Sequence, residues 1–334
     1  MVLFDFANYW WLYASFVGLL IVALIVDLGL LNRADIELTH GKALRNCAVW
    51  FFLALIFNFW LYHFMLHEFE LRGFAQTLTD FSPTVAAKSL ALEFMTAYLV
   101  EESLSVDNLF VFIVIFSYFQ IPLKYQRRVL FYGILGALIF RGAFIATGAY
   151  LMHYRLVILA FGVFLIFTGV RFFFPGKENV DLESNWTLRT LKKFIPVTTK
   201  FSGHSFFVKE SGQWVATPLF VCLAMLEVSD VFFAFDSVPA VFAVSKEPLI
   251  VFTSNIFAIL GLRSLFFLIA GMMDRFHFLK IGLAFILIFI GAKMVYFDEY
   301  FEGKFPITAS LGVVLGLLLG SIFLSLFFPR NTKD

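Results

Sequence analysis

The chain has few charged residues and only two cysteines. Charged residues make up 15% of its 334 residues, against about 25% in soluble domains. A net charge of only +1 excludes a protein that binds nucleic acid through a basic surface. Cys47 and Cys222 are too few for a disulfide framework or a thiolate metal site. The sequence also lacks a glycine-rich phosphate loop, a paired-histidine zinc motif and a serine elbow, so we expect no enzyme.

Long apolar runs are abundant instead. Hydrophobic residues make up 61% of the chain, and the mean hydropathy is +0.88. A membrane-spanning helix needs roughly 20 apolar residues to cross about 30 Å of hydrocarbon. Nine segments are that long, at 9–31, 47–66, 88–119, 129–152, 155–174, 216–244, 248–272, 278–297 and 305–328. The sequence therefore predicts an all-α membrane protein of about nine transmembrane helices, embedded in the lipid bilayer.

Basic residues are distributed unevenly between the two sides of this arrangement. With the N-terminus outside, 17 lysines and arginines fall on the cytoplasmic side and 5 on the opposite side. Cytoplasmic loops of membrane proteins are enriched in lysine and arginine. We therefore predict a multi-pass protein of the bacterial cytoplasmic membrane with its N-terminus outside and its C-terminus in the cytoplasm. The first segment lacks the basic start and the cleavage site of a signal peptide.

Segments three to five and segments six to eight share short patterns in the same order. The matching positions are Asp107 and Asp236, Arg141 and Arg263, and Gly169 and Gly291. Because segments three and six cross in opposite directions, the two units form a predicted inverted repeat, an architecture typical of secondary transporters. The predicted parts are two N-terminal helices (1–87), the first repeat (88–174), a cytoplasmic loop with a small hairpin (175–215), the inverted second repeat (216–297), and the final helix with the C-terminal tail (298–334).

Acidic and polar residues interrupt segments three and six. Each ionised group at the bilayer centre costs about 2.5–3.5 kcal/mol, so counter-charges, protons, water or bound cations must compensate these acids. The predicted metal ligands or gate residues are Glu101, Asp107, Asn108, Glu227, Asp230 and Asp236. Glu102, Ser105 and Ser237 are predicted auxiliary donors, and Glu102 points about 100° away from Glu101. These hard oxygen ligands suit Mn²⁺, Mg²⁺ or Ca²⁺.

Arg141 and Arg263 are the predicted counter-charges. One aspartate and one arginine in each half suggest the pairs Asp107–Arg141 and Asp236–Arg263. On an ideal helix Asp236 points about 180° away from Glu227. Pro239 lies three residues further on and removes a backbone donor, so we expect a kink or an unwound turn at 235–239 to aim Asp236 inward.

Two long motifs resemble the signatures of the TerC family of membrane proteins. They are ESLSVDNLFVF at 102–112 and EVSDVFFAFDSVPA at 227–240, and TSNIFAILGLR at 253–263 is similar to the stretch that follows the second signature. The similarity is greatest to the Alx-like branch and spans essentially the whole chain. The resemblance implies a bacterial cytoplasmic-membrane protein of the LysE-like superfamily. Members of this family are linked to manganese export, alkaline-pH response and tellurite resistance.

The combined prediction is a secondary transporter that exports Mn²⁺, or a similar hard divalent cation, through a carboxylate site at the membrane midplane. In this prediction Mn²⁺ is the transported ion rather than a permanently bound cofactor. Proton antiport is the natural energy source, because carboxylates that release a cation can take up H⁺. The alternative is a non-transporting membrane scaffold, or an assembly or stress-response factor, in which the acids form structural pairs.

Overall fold

A computed structural model of the chain describes residues 4, 6–29, 40–71, 82–173, 193, 195–198, 201–203, 205–210, 212–270, 278–297, 300 and 305–328, without the side chains at 7, 26–29, 40, 107 and 110. These residues form an all-α membrane protein with nine helices, each at a predicted segment. The helices are α1 (Phe6–Gly29), α2 (His40–Leu71), α3 (Pro83–Tyr118), α4 (Leu123–Leu151), α5 (Arg155–Arg171), α6 (Pro218–Val244), α7 (Pro248–Ile269), α8 (Leu279–Ala292) and α9 (Ile307–Phe327). A π-helical turn, Lys293–Phe297, extends α8.

Seven of these described helices are long and apolar enough to cross a membrane. The other two are α3 and α5. Helix α5 has 17 residues, slightly fewer than the roughly 20 that a straight crossing needs. Helix α3 has 36 residues, or about 54 Å at 1.5 Å per residue, so it exceeds the hydrocarbon thickness. Its exceptional feature is charge, because it carries Lys88, Glu93, Glu101, Glu102 and Asp107.

Prolines mark the starts of three of the helices that surround the site. Pro83, Pro218 and Pro248 occupy the first turns of α3, α6 and α7. Proline is tolerated there because the first-turn N–H groups have no intrahelical acceptor. Ser82 also caps α3, since its side chain accepts a hydrogen bond from the backbone N–H of Val85.

Helices α3 to α8 form the central bundle. Helix α3 packs against α6 and α7, helix α4 packs against the same two helices, and α5 packs against α8. The same set of contacts is obtained when α3 is interchanged with α6, α4 with α7 and α5 with α8. Helix α2 covers α3 and α7 from one side, and α9 contacts α3 and α8.

Glycines allow α5 and α8 to approach each other closely. A Cβ atom at Gly169 would lie 2.7 Å from the carbonyl oxygen of Ala284. A Cβ atom at Gly291 would lie 2.5 Å from the carbonyl oxygen of Gly162. Small residues permit such backbone contact between membrane helices, where packing replaces the hydrophobic driving force.

A two-stranded hairpin precedes α6. Strands β1 (Phe207–Glu210) and β2 (Gln213–Ala216) pair antiparallel, and Gly212 turns the chain with a φ of 83°. The ring of Phe207 lies 4.4 Å from that of Phe220 in α6, and the guanidinium of Arg128 lies 5.3 Å from the ring of Phe206. The hairpin is therefore attached to the ends of both α6 and α4.

Helix α6 continues without interruption through Pro239. The unwound turn that we predicted at 235–239 is therefore wrong. A single proline removes only one backbone donor, and every side chain from Ser237 to Val244 is buried, so packing holds the helix together. Asp236 keeps the direction that a regular helix gives it.

Candidate functional site

Four helices bring four buried polar side chains together in the central bundle. Arg141 of α4 is 1% exposed and donates hydrogen bonds from Nη2 and Nε to the two carboxylate oxygens of Asp230 in α6, at 3.2 and 3.4 Å. Its Nη1 forms an ion pair with Glu101 of α3 and donates to Oδ1 of Asn255 in α7 at 3.0 Å. We call Glu101, Arg141, Asp230 and Asn255 the Arg141 cluster.

Arg141 thus pairs with both Glu101 and Asp230. The predicted Asp107–Arg141 pair stays a prediction, because the side chain of Asp107 lies outside the described part of the chain. Helix geometry explains the pairing with Glu101. Arg141 lies 18 residues after the start of α4, or about 27 Å along its axis. On the preceding antiparallel helix, Glu101 lies about 26 Å before the end and Asp107 only about 17 Å. Glu101 is therefore level with the arginine.

A third acid, Glu227, adjoins the cluster. Glu227 and Asp230 line a cavity of about 20 Å³ whose other walls are mainly apolar and include Gly133 and Ile259. That volume accommodates about one water-sized particle. The Glu227 carboxylate packs directly on the α4 backbone at Gly136. Any side chain at this position would displace it, since a Cβ atom on Gly136 would overlap the carboxylate. One Glu227 carboxylate oxygen has no hydrogen-bond partner in the described structure.

Four further buried side chains carry a polar group without a hydrogen-bond partner in the described ranges: the predicted Ser105, Asn108 and Ser237, and Asn255. The hydroxyls of Ser105 and Ser237 and the side-chain nitrogens of Asn108 and Asn255 find no hydrogen-bond partner among the described residues. All four side chains are at most 4% exposed. A buried polar group left unpaired costs about 1–3 kcal/mol. The central bundle therefore contains several polar groups that its described side chains do not satisfy.

Two predicted acids point away from the Arg141 cluster. Glu102 accepts a hydrogen bond from the Tyr98 hydroxyl at 2.9 Å and lies against Gly261 of α7. Its direction agrees with the angle of about 100° from Glu101 that helix geometry predicts. Asp236 accepts a hydrogen bond from Thr168 of α5 at 3.4 Å.

The sequence did not single out Asn255 or Gly136 as parts of the site. Asn255 is fully buried in α7 and binds Arg141. Its signals in the sequence are a polar run, Thr253-Ser254-Asn255, inside an apolar helix, and its place in the stretch at 253–263 that is similar to the TerC family. Gly136 carries no charge or donor group. Its importance is the space that it leaves for the Glu227 carboxylate.

A larger cavity of about 850 Å³ opens where the first turns of α3 and α9 meet the ends of α6 and α8. Its charged lining consists of Lys88, Glu93, Lys246, Glu247 and Lys293. Glu93 accepts a hydrogen bond from Ser245 at 2.6 Å, and Lys293 donates to the carbonyl of Ala243 at 2.8 Å. In the predicted orientation this cavity faces the outside, and we call it the outer cavity.

Over the described ranges, no three His, Cys, Asp or Glu side chains form a group that could hold a metal ion. In the Arg141 cluster a guanidinium lies where a cation between Glu101 and Asp230 would lie. The described arrangement is therefore one in which a protein side chain is the shared counter-charge of Glu101 and Asp230.

Comparisons with known proteins cover most of the chain. The sequence profile of the "Integral membrane protein TerC family" matches residues 86–333. The chain is 44% identical over 321 residues to "Uncharacterized membrane protein STKORF319" of Myxococcus xanthus, which covers 96% of this chain and 93% of that protein. It is 41% identical over 315 residues to "Putative membrane-bound redox modulator Alx" of Escherichia coli (strain K12), which covers 92% of each.

A plant protein is also similar. The chain is 46% identical over 237 residues to "Thylakoid membrane protein TERC, chloroplastic" of Arabidopsis thaliana, which covers 71% of this chain and 61% of that protein. No solved structure matches the chain. The similarity thus extends from bacterial relatives to a chloroplast membrane protein.

Proposed function

The chain belongs to the TerC family of integral membrane proteins, and from this premise we propose that it exports Mn²⁺, or a similar hard divalent cation, from the cytoplasm. One observation carries the proposal. Glu101 of α3 and Asp230 of α6 converge on a single guanidinium in the central bundle, and Glu227 lines the adjoining cavity. Such a concentration of acids is costly in a membrane and is typical of an ion pathway.

The charge of this region suits a divalent cation. Three carboxylates, Glu101, Asp230 and Glu227, and the one guanidinium that contacts two of them leave a formal charge of −2. One divalent cation would cancel that charge. Protons on two of the acids would cancel it as well, which is why proton antiport is a chemically natural form of coupling. We propose Glu227 as the acid that takes up a proton, because it does not contact Arg141.

The donors available near these acids are oxygen atoms. Ser105, Asn108 and Ser237 add hydroxyl and amide oxygens to the carboxylates, and all three are buried. Hard ligands of this kind favour Mn²⁺, Mg²⁺ and Ca²⁺ over softer metals. Asp107 and Asp236, which the sequence predicts as ligands, are proposed to act as gate residues on either side of the Arg141 cluster.

We further propose that α3–α5 and α6–α8 form an inverted repeat, and the contact between α5 and α8 supports it. Gly169 matches Gly291 in the two halves. Gly169 packs on residue 284, seven positions before Gly291, and Gly291 packs on residue 162, seven positions before Gly169. Each contact is therefore the image of the other. Glu101 and Asp230 are also equivalent, because each lies six residues before its matching aspartate.

The outer cavity provides a route for release. It begins at Glu93, two helical turns before Glu101 on α3. We propose that this side lies outside and the C-terminus in the cytoplasm of a bacterial cell, with the protein in its cytoplasmic membrane, and the distribution of lysine and arginine supports this orientation. Export would then carry the cation from the Glu227 side, past Glu101 and Asp230, into the outer cavity.

The alternative function is a non-transporting scaffold or stress-response factor. The ion pairs of Arg141 with Glu101 and Asp230 favour it, because a permanent internal counter-charge would make a cation unnecessary. The name of the Escherichia coli relative, a membrane-bound redox modulator, is also compatible with such a role. Transport measurements separate the two functions.

The experiment is Mn²⁺ flux into proteoliposomes that contain the purified protein. We expect flux in the wild type and at least a roughly tenfold loss, corresponding to about 1.4 kcal/mol, in Glu101→Gln and Asp230→Asn. The matched control is Glu102→Gln, which changes the next acid on α3, a residue that contacts Tyr98 instead of the cluster. Flux in this control should stay within about threefold of the wild type, since its acid lies off the proposed pathway.

Two results would contradict the proposal. Wild-type protein that moves no divalent cation would favour the scaffold. Equal flux in the wild type, Glu101→Gln and Asp230→Asn would leave transport intact but remove these acids from the pathway. Repeating the flux with Mg²⁺ and Ca²⁺ tests whether the selectivity is for Mn²⁺ or for hard cations in general.

A further inference from the structure

The proposed inverted repeat contains two arginines at matching positions, Arg141 in α4 and Arg263 in α7. The acids they could neutralise, Glu101 and Asp230, are themselves a matching pair. In the described structure Arg141 contacts both acids. The centre of the repeat is therefore asymmetric, because one of two equivalent arginines holds the pair.

Helix geometry places each arginine level with one acid. Arg141 and Glu101 lie about 27 and 26 Å from the short connection between α3 and α4. Arg263 lies 15 residues after the start of α7 and Asp230 lies 14 residues before the end of α6, or about 22 and 21 Å from the connection between those helices. Arg263 is thus as well placed along its helix for Asp230 as Arg141 is for Glu101.

There is also space beside Asp230 on the side of α7. The cavity of about 20 Å³ next to Asp230 is lined by Ile259 and by Leu262, the neighbour of Arg263 in the sequence. Ile259 lies about one helical turn before Arg263 on α7, so this wall of the cavity is within one turn of the arginine. Arg263 is 5% exposed, which places its charge inside the bundle.

We infer that the two arginines exchange at the acid pair. In the described state Arg141 pairs with both Glu101 and Asp230, and in the opposite-facing state Arg263 takes its place. During the change from one arrangement to the other, a cation binds Glu101 and Asp230. This inference rests on the proposed function, and it explains how an empty carrier reorients without leaving two carboxylates unpaired in the membrane.

Asn255 gives the exchange a preferred direction. It accepts a hydrogen bond from Arg141 in the described state, and it lies eight residues before Arg263. The matching position, eight residues before Arg141, is Gly133, which has no side chain to bind Arg263. The Arg141 arrangement therefore has one more hydrogen bond than its image, and it is the state in which the outer cavity is open.

The test measures which side of the protein is open. A Ser89→Cys reporter in the outer cavity is introduced after Cys47 and Cys222 are replaced by alanine, and its labelling by a membrane-impermeant maleimide is timed. Arg263→Gln should raise the labelling rate, because only the Arg141 arrangement remains. Arg141→Gln should lower it, and the two rates should differ by roughly tenfold, within the range of allosteric coupling energies.

Two further variants guard against loss of folding. Asn255→Leu keeps both charges and a similar volume, and it should lower labelling in the same direction as Arg141→Gln but less. Arg141→Lys keeps the charge but loses the forked contact with both acids, so it too should lower labelling. Glu102→Gln, the matched control on α3, should leave the labelling rate at the wild-type value.

The outcomes are separable from those of the flux experiment. The exchange would be overturned if Arg141→Gln and Arg263→Gln changed the labelling rate in the same direction. It would also be overturned if neither variant changed the rate, or if Asn255→Leu left the rate unchanged. Opposite changes in a protein that moves no divalent cation would support the exchange and refute export. Flux with unchanged labelling would support export and refute the exchange.

Discussion

Replacing Gly291 by alanine tests the close packing of α5 and α8. The new Cβ atom would lie 2.5 Å from the carbonyl oxygen of Gly162 and 2.9 Å from the backbone nitrogen of Ile166. Both neighbours are backbone atoms of α5, which cannot rotate away as a side chain could. The two helices must therefore separate, and the packing along their interface must loosen.

The expected cost follows from these contacts. Overpacking of a tight interior costs about 1–3 kcal/mol, and alanine recovers up to about 1 kcal/mol of helix propensity relative to glycine. We expect a net loss of about 1–2 kcal/mol in the free energy of unfolding. Gly169→Ala, at the matching position in α5, should lose a similar amount, because its Cβ would lie 2.7 Å from the carbonyl oxygen of Ala284.

The assay is thermal unfolding of the purified protein in detergent. A loss of this size should lower the melting midpoint by about 2–6 °C, using the sensitivity of soluble domains as a guide. The control is Gly316→Ala in α9, where nothing lies within 4 Å of the added Cβ, so its midpoint should stay the same or rise. Equal midpoints in Gly291→Ala and Gly316→Ala would refute the close approach, and a large difference between Gly291→Ala and Gly169→Ala would refute the repeat symmetry.

Three further predictions follow from other parts of the structure. Gly136→Ala should displace the flexible Glu227 carboxylate and reduce Mn²⁺ flux several-fold in proteoliposomes while the melting midpoint changes little; unchanged flux would remove Glu227 from the pathway. Arg128→Ala should remove the cation–π contact with Phe206, worth about 0.5–1 kcal/mol, and speed protease cleavage in the hairpin, and an unchanged cleavage rate would contradict this attachment. A fluorescent protein fused to the C-terminus should fluoresce in bacterial cells, whereas an alkaline phosphatase fused there should be inactive; the reverse pattern would contradict the predicted orientation.

Helix positions could be predicted from the sequence because hydrophobic length is set by the bilayer. All nine predicted segments coincide with described helices, within several residues at the ends. The direction of Glu102 could also be predicted, because it depends only on rotation about one helix. The prediction of an unwound turn at Pro239 was wrong because the proline removes one backbone bond, whereas the packing of the buried residues at 237–244 keeps α6 helical.

Residue contacts between helices could be predicted less well. The pairing of Arg141 depends on its level along α4 relative to α3, and that level becomes clear only once the helix ends are known. Asn255 contributes to the site from a helix with no acidic residue inside its bounds, so charge did not point to it. Gly136 contributes by having no side chain, which leaves room for the Glu227 carboxylate. Because Glu227 is distant in the sequence, this role is recognised only from the three-dimensional structure.

The most direct test of the central claim is equilibrium binding of Mn²⁺ to the purified protein, followed by electron paramagnetic resonance of the free ion. We expect about one Mn²⁺ bound per chain, because the acids of this region leave a formal charge of −2. Binding should be weakened in Glu101→Gln and Asp230→Asn and retained in Glu102→Gln. A wild-type protein that binds no Mn²⁺, or binds it equally well without Glu101 and Asp230, would contradict the account.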